Sequence, residues 1–226
     1  MLTKGIRFKN YKLKIKSSNL VVKLNSILNE KNEILNSLSR NYKNKFFKKK
    51  IKKYTHYSNF KLIGMGGSTL GTQAIYEFLK KKIKKKFIFI DNLQPKQIID
   101  NKKKFLNIII SKSGNTIETI ANVNIHVKKN DKNIFITENK KNSLFLLAEK
   151  LKSEIIHHNN YIGGRYSVLS EVGMLPAELM GLKIKQFKQF NLLVKNKKFI
   201  NSLISNVNAT YSLIKKKKFN SIIINY

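Results

Sequence analysis

Short apolar runs that alternate with longer amphipathic stretches constrain the fold of this 226-residue chain more than any other feature. Runs such as Phe-Ile-Phe-Ile and Asn-Ile-Ile-Ile are apolar on both faces, as in strands that helices cover above and below. The alternation predicts an α/β fold with a parallel sheet and crossover helices. The predicted strands cover residues 60–63, 87–91, 105–111, 133–137, 154–157 and 220–225, and the predicted helices cover residues 69–80, 95–102, 116–128, 142–151, 168–182 and 186–214.

The first 58 residues differ from the rest of the chain and predict a helical lead-in. Apolar residues recur at helical spacing between residues 20 and 38, which predicts an amphipathic helix or a helical pair. The lysine-rich residues 43–58 predict another short helix and a connection. We therefore divide the chain into a lead-in at residues 1–58 and one α/β domain at residues 59–226.

Composition excludes several classes of protein. The absence of cysteine excludes a disulfide scaffold and a thiolate metal site. No apolar run reaches the roughly 18 residues that indicate a membrane span. The N-terminus alternates lysine with single apolar residues and has no apolar block of the signal-peptide kind. These features predict a cytoplasmic protein with no membrane partner.

The formal net charge of +34 by itself favours nucleic acid or an anionic membrane as a partner. The excess is almost wholly lysine, because Arg7, Arg40 and Arg165 are the only arginines. Arginine is the preferred side chain for reading phosphates and base edges. We therefore interpret most of the charge as solvated and nucleic acid as an unlikely partner, and keep a lysine-rich nucleic-acid-binding protein as an alternative.

Glycines and hydroxyls are concentrated in the turn after the first predicted strand. Residues 64–71 read Gly-Met-Gly-Gly-Ser-Thr-Leu-Gly and lead into a predicted helix. Glycines let the backbone approach an anion closely, and the helix directs its free N–H groups to the same place. The spacing matches neither the dinucleotide-binding motif nor the Walker motif. The alternative is a tight turn in which Ser68 caps the helix.

A second turn of the same kind begins at Ser111 and reads Ser-Lys-Ser-Gly-Asn-Thr-Ile-Glu-Thr. A phosphate monoester needs several converging donors, which Ser111, Ser113 and Thr116 could supply together with nearby N–H groups. Lys112 adds a positive charge to this turn or points to solvent. The alternative is a simple N-cap by Ser113 or Asn115. Because ligands of parallel sheets bind beyond the carboxyl ends of the strands, both turns predict an anion site.

A third turn contains an arginine. Arg165 follows Gly163 and Gly164 at another predicted helix start. Its planar guanidinium could hold a phosphate or stabilise an enediolate oxygen that develops during proton transfer. The alternative is a surface arginine that packs on Tyr166.

These three turns resemble those of the glucose-6-phosphate isomerase family. Residues 162–170, Ile-Gly-Gly-Arg-Tyr-Ser-Val-Leu-Ser, are similar to a specific signature of that family, and Glu171 departs from it because a small residue is usual there. The resemblance implies the sugar-isomerase fold, a flavodoxin-like three-layer αβα sandwich with a mainly parallel five-stranded sheet, here preceded by helices. It also implies interconversion of glucose 6-phosphate and fructose 6-phosphate through a cis-enediolate, without a metal or cofactor.

The same resemblance implies roles for individual residues. Arg165 matches the arginine that stabilises the enediolate. The positions that match substrate-binding residues are Gly67 and Ser68 at the sugar, and Ser111, Ser113, Thr116 and the backbone of Lys112 at the phosphate.

The residues that would move protons are not evident in the sequence. Aldose–ketose isomerisation needs a base, and ring opening needs an acid–base pair. Glu171 and Glu178 are expected at the surface, and His157 and His158 lie at a strand end without a clear acidic partner. The resemblance places the catalytic glutamate, lysine and a neighbouring subunit's histidine in the second half of a longer protein.

We therefore expect an N-terminal portion of a homodimeric isomerase that lacks the second sugar-isomerase domain and is inactive by itself. A non-catalytic sugar-isomerase domain that senses a sugar phosphate is the alternative.

Overall fold

Five strands form one parallel sheet in the computed structural model, which describes residues 18–93, 104–188 and 194–217. All four pairs of neighbouring strands are parallel, and the spatial order β2-β1-β3-β4-β5 is the flavodoxin-like one. The α/β class and the five-stranded sheet are therefore confirmed. The strands are β1 Asn59–Gly64, β2 Lys86–Ile90, β3 Phe105–Ile110, β4 Lys132–Glu138 and β5 Glu154–His158.

Helices precede and connect the strands. The predicted helical pair at the N-terminus is confirmed as α1 and α2, and the short helix before the sheet is α3. The helices are α1 Ser18–Asn29, α2 Glu33–Ser37, α3 Lys48–Lys52, α4 Leu70–Phe78, α5 Ile117–His126, α6 Ser143–Lys150, α7 Glu171–Leu179 and α8 Lys197–Lys215, with 3-10 turns at Gly66–Ser68, Lys80–Lys82, Gly164–Leu169 and Ile184–Gln186.

The prediction of one long helix from residue 186 is wrong at its start. A 3-10 turn ends at Gln186 and residues 187–188 are not helical, residues 189–193 lie outside the described residues, and α8 starts at Lys197 after a break at residues 195–196. The side chain of Asn196 accepts a hydrogen bond from the N–H of Phe199 and so caps α8 at its first turn. The predicted helix 95–102 and strand 220–225 lie outside the described residues.

Each face of the sheet is covered by its own helices. On one face, Ile75 of α4 and Leu175 of α7 pack on a cluster that also contains Phe46 and Ile51 from the lead-in. On the other face, residues of α5 and α6 pack on a second cluster around Phe135. The covering of both faces explains why the strands are apolar throughout. The boundary between the helical lead-in and the α/β domain at residue 58 stays a prediction.

Helix α7 contains a proline, and the neighbouring helix α4 compensates for it. Pro176 has no N–H group and leaves the carbonyl of Val172, four residues earlier, without its helical donor. The buried hydroxyl of Thr72 donates to this carbonyl over 3.3 Å. This hydrogen bond joins α4, which follows the turn after β1, to α7, which follows the turn that contains Arg165.

We expect Thr72→Val to lower the free energy of unfolding by about 1 to 3 kcal/mol, because a buried carbonyl loses its donor while the side-chain volume is kept. Thr72→Ser keeps the hydroxyl and serves as the control. Urea denaturation of both variants measures the difference. Equal stability of the valine variant and the unmodified chain would contradict the role of this bond.

Candidate functional site

The first two turns leave the sheet side by side at its topological switch point. Gly64, the last residue of β1, is in register with Ile110, the last residue of β3. The chain after β1 continues into α4 on one face of the sheet, and the chain after β3 continues into α5 on the other. Ligands of open parallel sheets bind in the crevice that opens where the connections diverge in this way.

Both helices that begin at this crevice have open N-termini. Thr69 precedes α4 and Thr116 precedes α5, and neither helix has a side-chain cap. By contrast, α6 and α8 are each capped by an asparagine. The predicted alternatives, in which Ser68, Ser113 or Asn115 caps its helix, are therefore wrong. Uncapped N–H groups at the positive end of a helix dipole favour a bound anion.

The hydroxyls of the second turn have unequal surroundings. Ser111 is buried, and its Oγ atom accepts a hydrogen bond from the N–H of Gly114 and lies 2.9 Å from Thr116 Oγ1. Ser113 is exposed, and its Oγ atom accepts from the N–H of Asn115 over 3.3 Å. Ser111 thus orders the loop from inside, while Ser113 and the half-buried Thr116 are the hydroxyls near its surface.

The same loop rests on the start of α6. Gly114 has a φ of +69°, and a Cβ atom added there would lie 1.9 Å from Oδ1 of Asn142, the N-cap of α6. The carbonyl of Gly114 accepts a hydrogen bond from the N–H of Leu144. The position requires glycine for both its conformation and its space.

The ammonium of Lys112 joins the second turn to the third and does not lie free at the anion site. It donates to the carbonyl of Asn160 over 2.7 Å and lies 3.5 Å from Glu138, which also pairs with Lys140. Burial raises the pKa of Glu138, but the two lysines lower it by more, so that its pKa lies below the usual value. Any contribution of Lys112 to a ligand would therefore come from its backbone.

We expect Lys112→Met to destabilise the fold by about 1 kcal/mol, at the low end for a charged hydrogen bond because the side chain is partly exposed. Lys140→Met is the matched control, since it also removes a lysine from Glu138 but breaks no bond to Asn160. Chemical denaturation compares the two variants. Equal losses would indicate that only the charge near Glu138 matters.

The third turn is packed directly against the first. A Cβ atom on Gly67 would lie 2.3 Å from the carbonyl oxygen of Gly164. The hydroxyl of Ser167 donates to the carbonyls of Gly164 and Gly67. Arg165 is exposed beside this contact and forms no ion pair with a carboxylate among the described residues. The backbone nitrogen of Arg165 would lie 3.0 Å from the same Cβ atom, so this residue takes part in the contact between the two turns.

Glu171 corrects a prediction from the sequence. It was expected at the surface, but its side chain is completely buried at the start of α7. Its Oε1 atom accepts the N–H of Lys45 and the hydroxyl of Tyr42, and its Oε2 atom lies 3.4 Å from Nδ1 of His158. Burial raises the pKa of Glu171, but His158 and backbone N–H groups lower it by more, so that its pKa lies below the usual value.

Glu178 is mostly buried as well, with 22% of its side chain exposed, and it pairs with Lys48. Neither of the two glutamates is therefore placed as a base at the crevice. The only signal for the interior position of Glu171 was its departure from the small residue that is usual in the family signature.

Among the described residues, no three metal-binding side chains cluster, and no helix is long and apolar enough to cross a membrane.

Comparisons with known proteins point to one family. The family model for phosphoglucose isomerase matches residues 9–215. A glucose-6-phosphate isomerase of Methanocaldococcus jannaschii is 34% identical over 194 residues, which are 78% of this chain and 48% of the relative. A glucose-6-phosphate isomerase of Acholeplasma laidlawii is 37% identical over 146 residues, which are 55% of this chain and 34% of the relative.

The chain thus spans about half, or less, of the length of these curated relatives. Among solved structures, a hypothetical protein of Thermus thermophilus superimposes with a TM-score of 0.65 at 23% identity, covering 85% of this chain and 51% of that one. At this identity the likeness concerns the fold.

Proposed function

We propose, because this chain belongs to the phosphoglucose isomerase family, that it forms the sugar-phosphate-binding part of an enzyme that interconverts glucose 6-phosphate and fructose 6-phosphate. The observation that supports this proposal is the pairing of two uncapped helix starts with an arginine that has no carboxylate partner among the described residues. The N–H groups suit a dianionic phosphate, and the guanidinium suits a second, developing negative charge.

The phosphate would lie at the start of α5. There the first N–H groups of α5 and the hydroxyls of Ser113 and Thr116 would bind the phosphate, while Ser111 holds the loop in shape and Lys112 would contribute through its backbone. The several donors would match the three terminal oxygens of a phosphate monoester. This placement would fix the far end of the substrate and leave its reacting carbons to other groups.

The sugar carbons would then lie between the first and third turns. Gly67 and Ser68 would contact the substrate, and Arg165 would stabilise the negative oxygen of the cis-enediolate, where charge develops in the transition state. Because oxygen charge grows during proton abstraction, an arginine already in place lowers the barrier without reorganisation. No metal or cofactor is needed for this step.

The proton transfers require a base for the isomerisation and an acid–base pair for ring opening. We propose that they come from the part of the family's length that this chain does not span and from a second subunit of a homodimer. On this proposal residues 59–226 form the first sugar-isomerase domain, and the whole protein works in the cytoplasm in glycolysis and gluconeogenesis.

A coupled assay for fructose 6-phosphate conversion tests the proposal when it compares this chain with the protein read to the end of its gene. We expect both to bind fructose 6-phosphate and only the longer protein to turn it over. Binding without turnover by the longer protein would favour a non-catalytic sensor. Salt-dependent DNA binding without sugar-phosphate affinity would favour the nucleic-acid alternative.

A further inference from the structure

A buried histidine and a buried glutamate lie in contact at the base of the loop that contains Arg165. This Arg165 loop, residues 159–170, begins after His158 at the end of β5 and ends before Glu171 at the start of α7. The side chains of the two flanking residues are buried, and their Nδ1 and Oε2 atoms are 3.4 Å apart. The two ends of the loop are therefore held together by a contact in the protein interior.

The His158 ring contacts the Arg165 loop as well as Glu171. His158 Nε2 is 3.0 Å from the carbonyl oxygen of Ile162, which can only accept, so Nε2 donates to it. On the other side of the ring, Nδ1 lies 3.4 Å from Oε2 of Glu171, and neither of these two buried atoms has a hydrogen-bond partner among the described residues. The imidazole thus lies between the carboxylate that follows the loop and a carbonyl within the loop.

The lead-in holds the same pair from the other side. Tyr42 and the N–H of Lys45 bind Oε1 of Glu171, while Glu33 accepts a hydrogen bond from Asn159 at the start of the loop. Burial of the phenol, followed by the charge of Glu171, raises the pKa of Tyr42. Tyr42 therefore remains a neutral donor to the carboxylate.

Lys188 completes the surroundings of Glu171. Its buried ammonium donates to the carbonyls of Leu169 and Ser37 and lies 4.2 Å from the centre of the Tyr42 ring. Burial lowers the pKa of Lys188 to about 8, and the nearby carboxylate opposes this shift. The ammonium of Lys188 thus binds the end of the Arg165 loop to the lead-in. At the start of the loop, Glu33 makes the corresponding connection.

We propose that Glu171 is a positioning residue for Arg165: its carboxylate keeps the base of the Arg165 loop closed, so that the tip stays seated on Gly67 with the guanidinium at the crevice. The inference rests on the proposed function for the identity of the ligand, whereas the closure of the loop does not depend on it. Glu171 touches no reacting atom in this scheme, and it acts through the loop.

Glu171→Gln tests the proposal, with Glu178→Gln as the matched control on the same helix. We expect amide exchange in residues 159–170 to rise by about 10-fold or more relative to β3, because a local closing contact is weakened. The Kd for fructose 6-phosphate should rise by about 10-fold or more as Arg165 is displaced, while the Kd for inorganic phosphate changes by less than about 2-fold. Glu178→Gln should change neither quantity.

The inference is overturned if exchange in the Arg165 loop is unchanged, if it rises evenly over the whole chain, or if both ligands weaken equally. Should Glu171→Gln not fold, the double variant Glu171→Gln with His158→Gln replaces both members of the pair with neutral amides, leaves no unpaired buried ion and is measured in the same way. If the unmodified chain binds no fructose 6-phosphate, the proposed function fails, and the exchange rates alone decide whether Glu171 closes the loop.

Discussion

Arg165→Lys is expected to lower kcat of the complete enzyme by about 100-fold or more, because a donor aimed at developing charge is worth about that factor. Affinity for inorganic phosphate should fall much less, by under about 3-fold, because the phosphate would be held by the α5 turn. Lysine keeps the positive charge but loses the planar fork and its fixed direction. The effect should therefore appear in the chemical step and spare phosphate binding.

Steady-state kinetics and phosphate titrations on the same preparations measure the two quantities. Arg40→Lys is a suitable control, because Arg40 is exposed in the turn after α2, outside the three turns of the crevice. It should leave both quantities unchanged. Equal losses of kcat and phosphate affinity in Arg165→Lys would show that the arginine is a phosphate clamp and that another group stabilises the enediolate.

The sequence predicted the sheet and its turns because their signals are local. Strands such as β3 are short and apolar on both faces, and the two strands that border the crevice, β1 and β3, lead into turns rich in glycines and hydroxyls. Because Gly67 comes just after β1, the sequence alone indicated that it lies at the carboxyl edge of the sheet. The sequence could not indicate that Gly67 packs on Gly164, because the two glycines are far apart along the chain.

Buried charges were missed because their partners are distant in the chain. Glu171 pairs with Tyr42 and Lys45, over 120 positions earlier, and a glutamate at the start of a helix is by default an exposed residue. Lys188 looks like any other lysine of a lysine-rich chain, although its ammonium is enclosed by carbonyls and an aromatic ring. Such positions follow from tertiary packing and leave no periodic signal.

The sequence also could not decide whether Ser113 or Asn115 caps the start of α5. Ser113 and Asn115 stand where a cap could be, and only the structure shows that Asn115 instead accepts the N–H of Ser143 at the start of α6. The side chain that could have closed the start of α5 is thus used by a neighbouring helix. The first N–H groups of α5 therefore remain available for an anion.

Gly67→Ala is expected to destabilise the chain by about 3 kcal/mol, the upper end for an added methyl group in a packed interior. The added Cβ would lie 2.3 Å from the oxygen and 2.4 Å from the carbon of the Gly164 carbonyl. Both are backbone atoms, so they cannot move aside as a flexible side chain would. The first and third turns would have to separate, and Arg165 would move with its loop.

Gly164→Ala supplies the matched comparison, because it adds the same methyl group to the other side of the same contact. The nearest atom to that Cβ would be Gly67 Cα at 4.0 Å, which is an ordinary contact, so stability should change by less than about 1 kcal/mol. Urea denaturation of both variants measures this asymmetry, and titration with fructose 6-phosphate should show about 10-fold or greater loss in Gly67→Ala. Equal stability of the two variants would mean that the turns do not touch as described, and the crevice between Gly67 and Arg165 would then lose its structural basis.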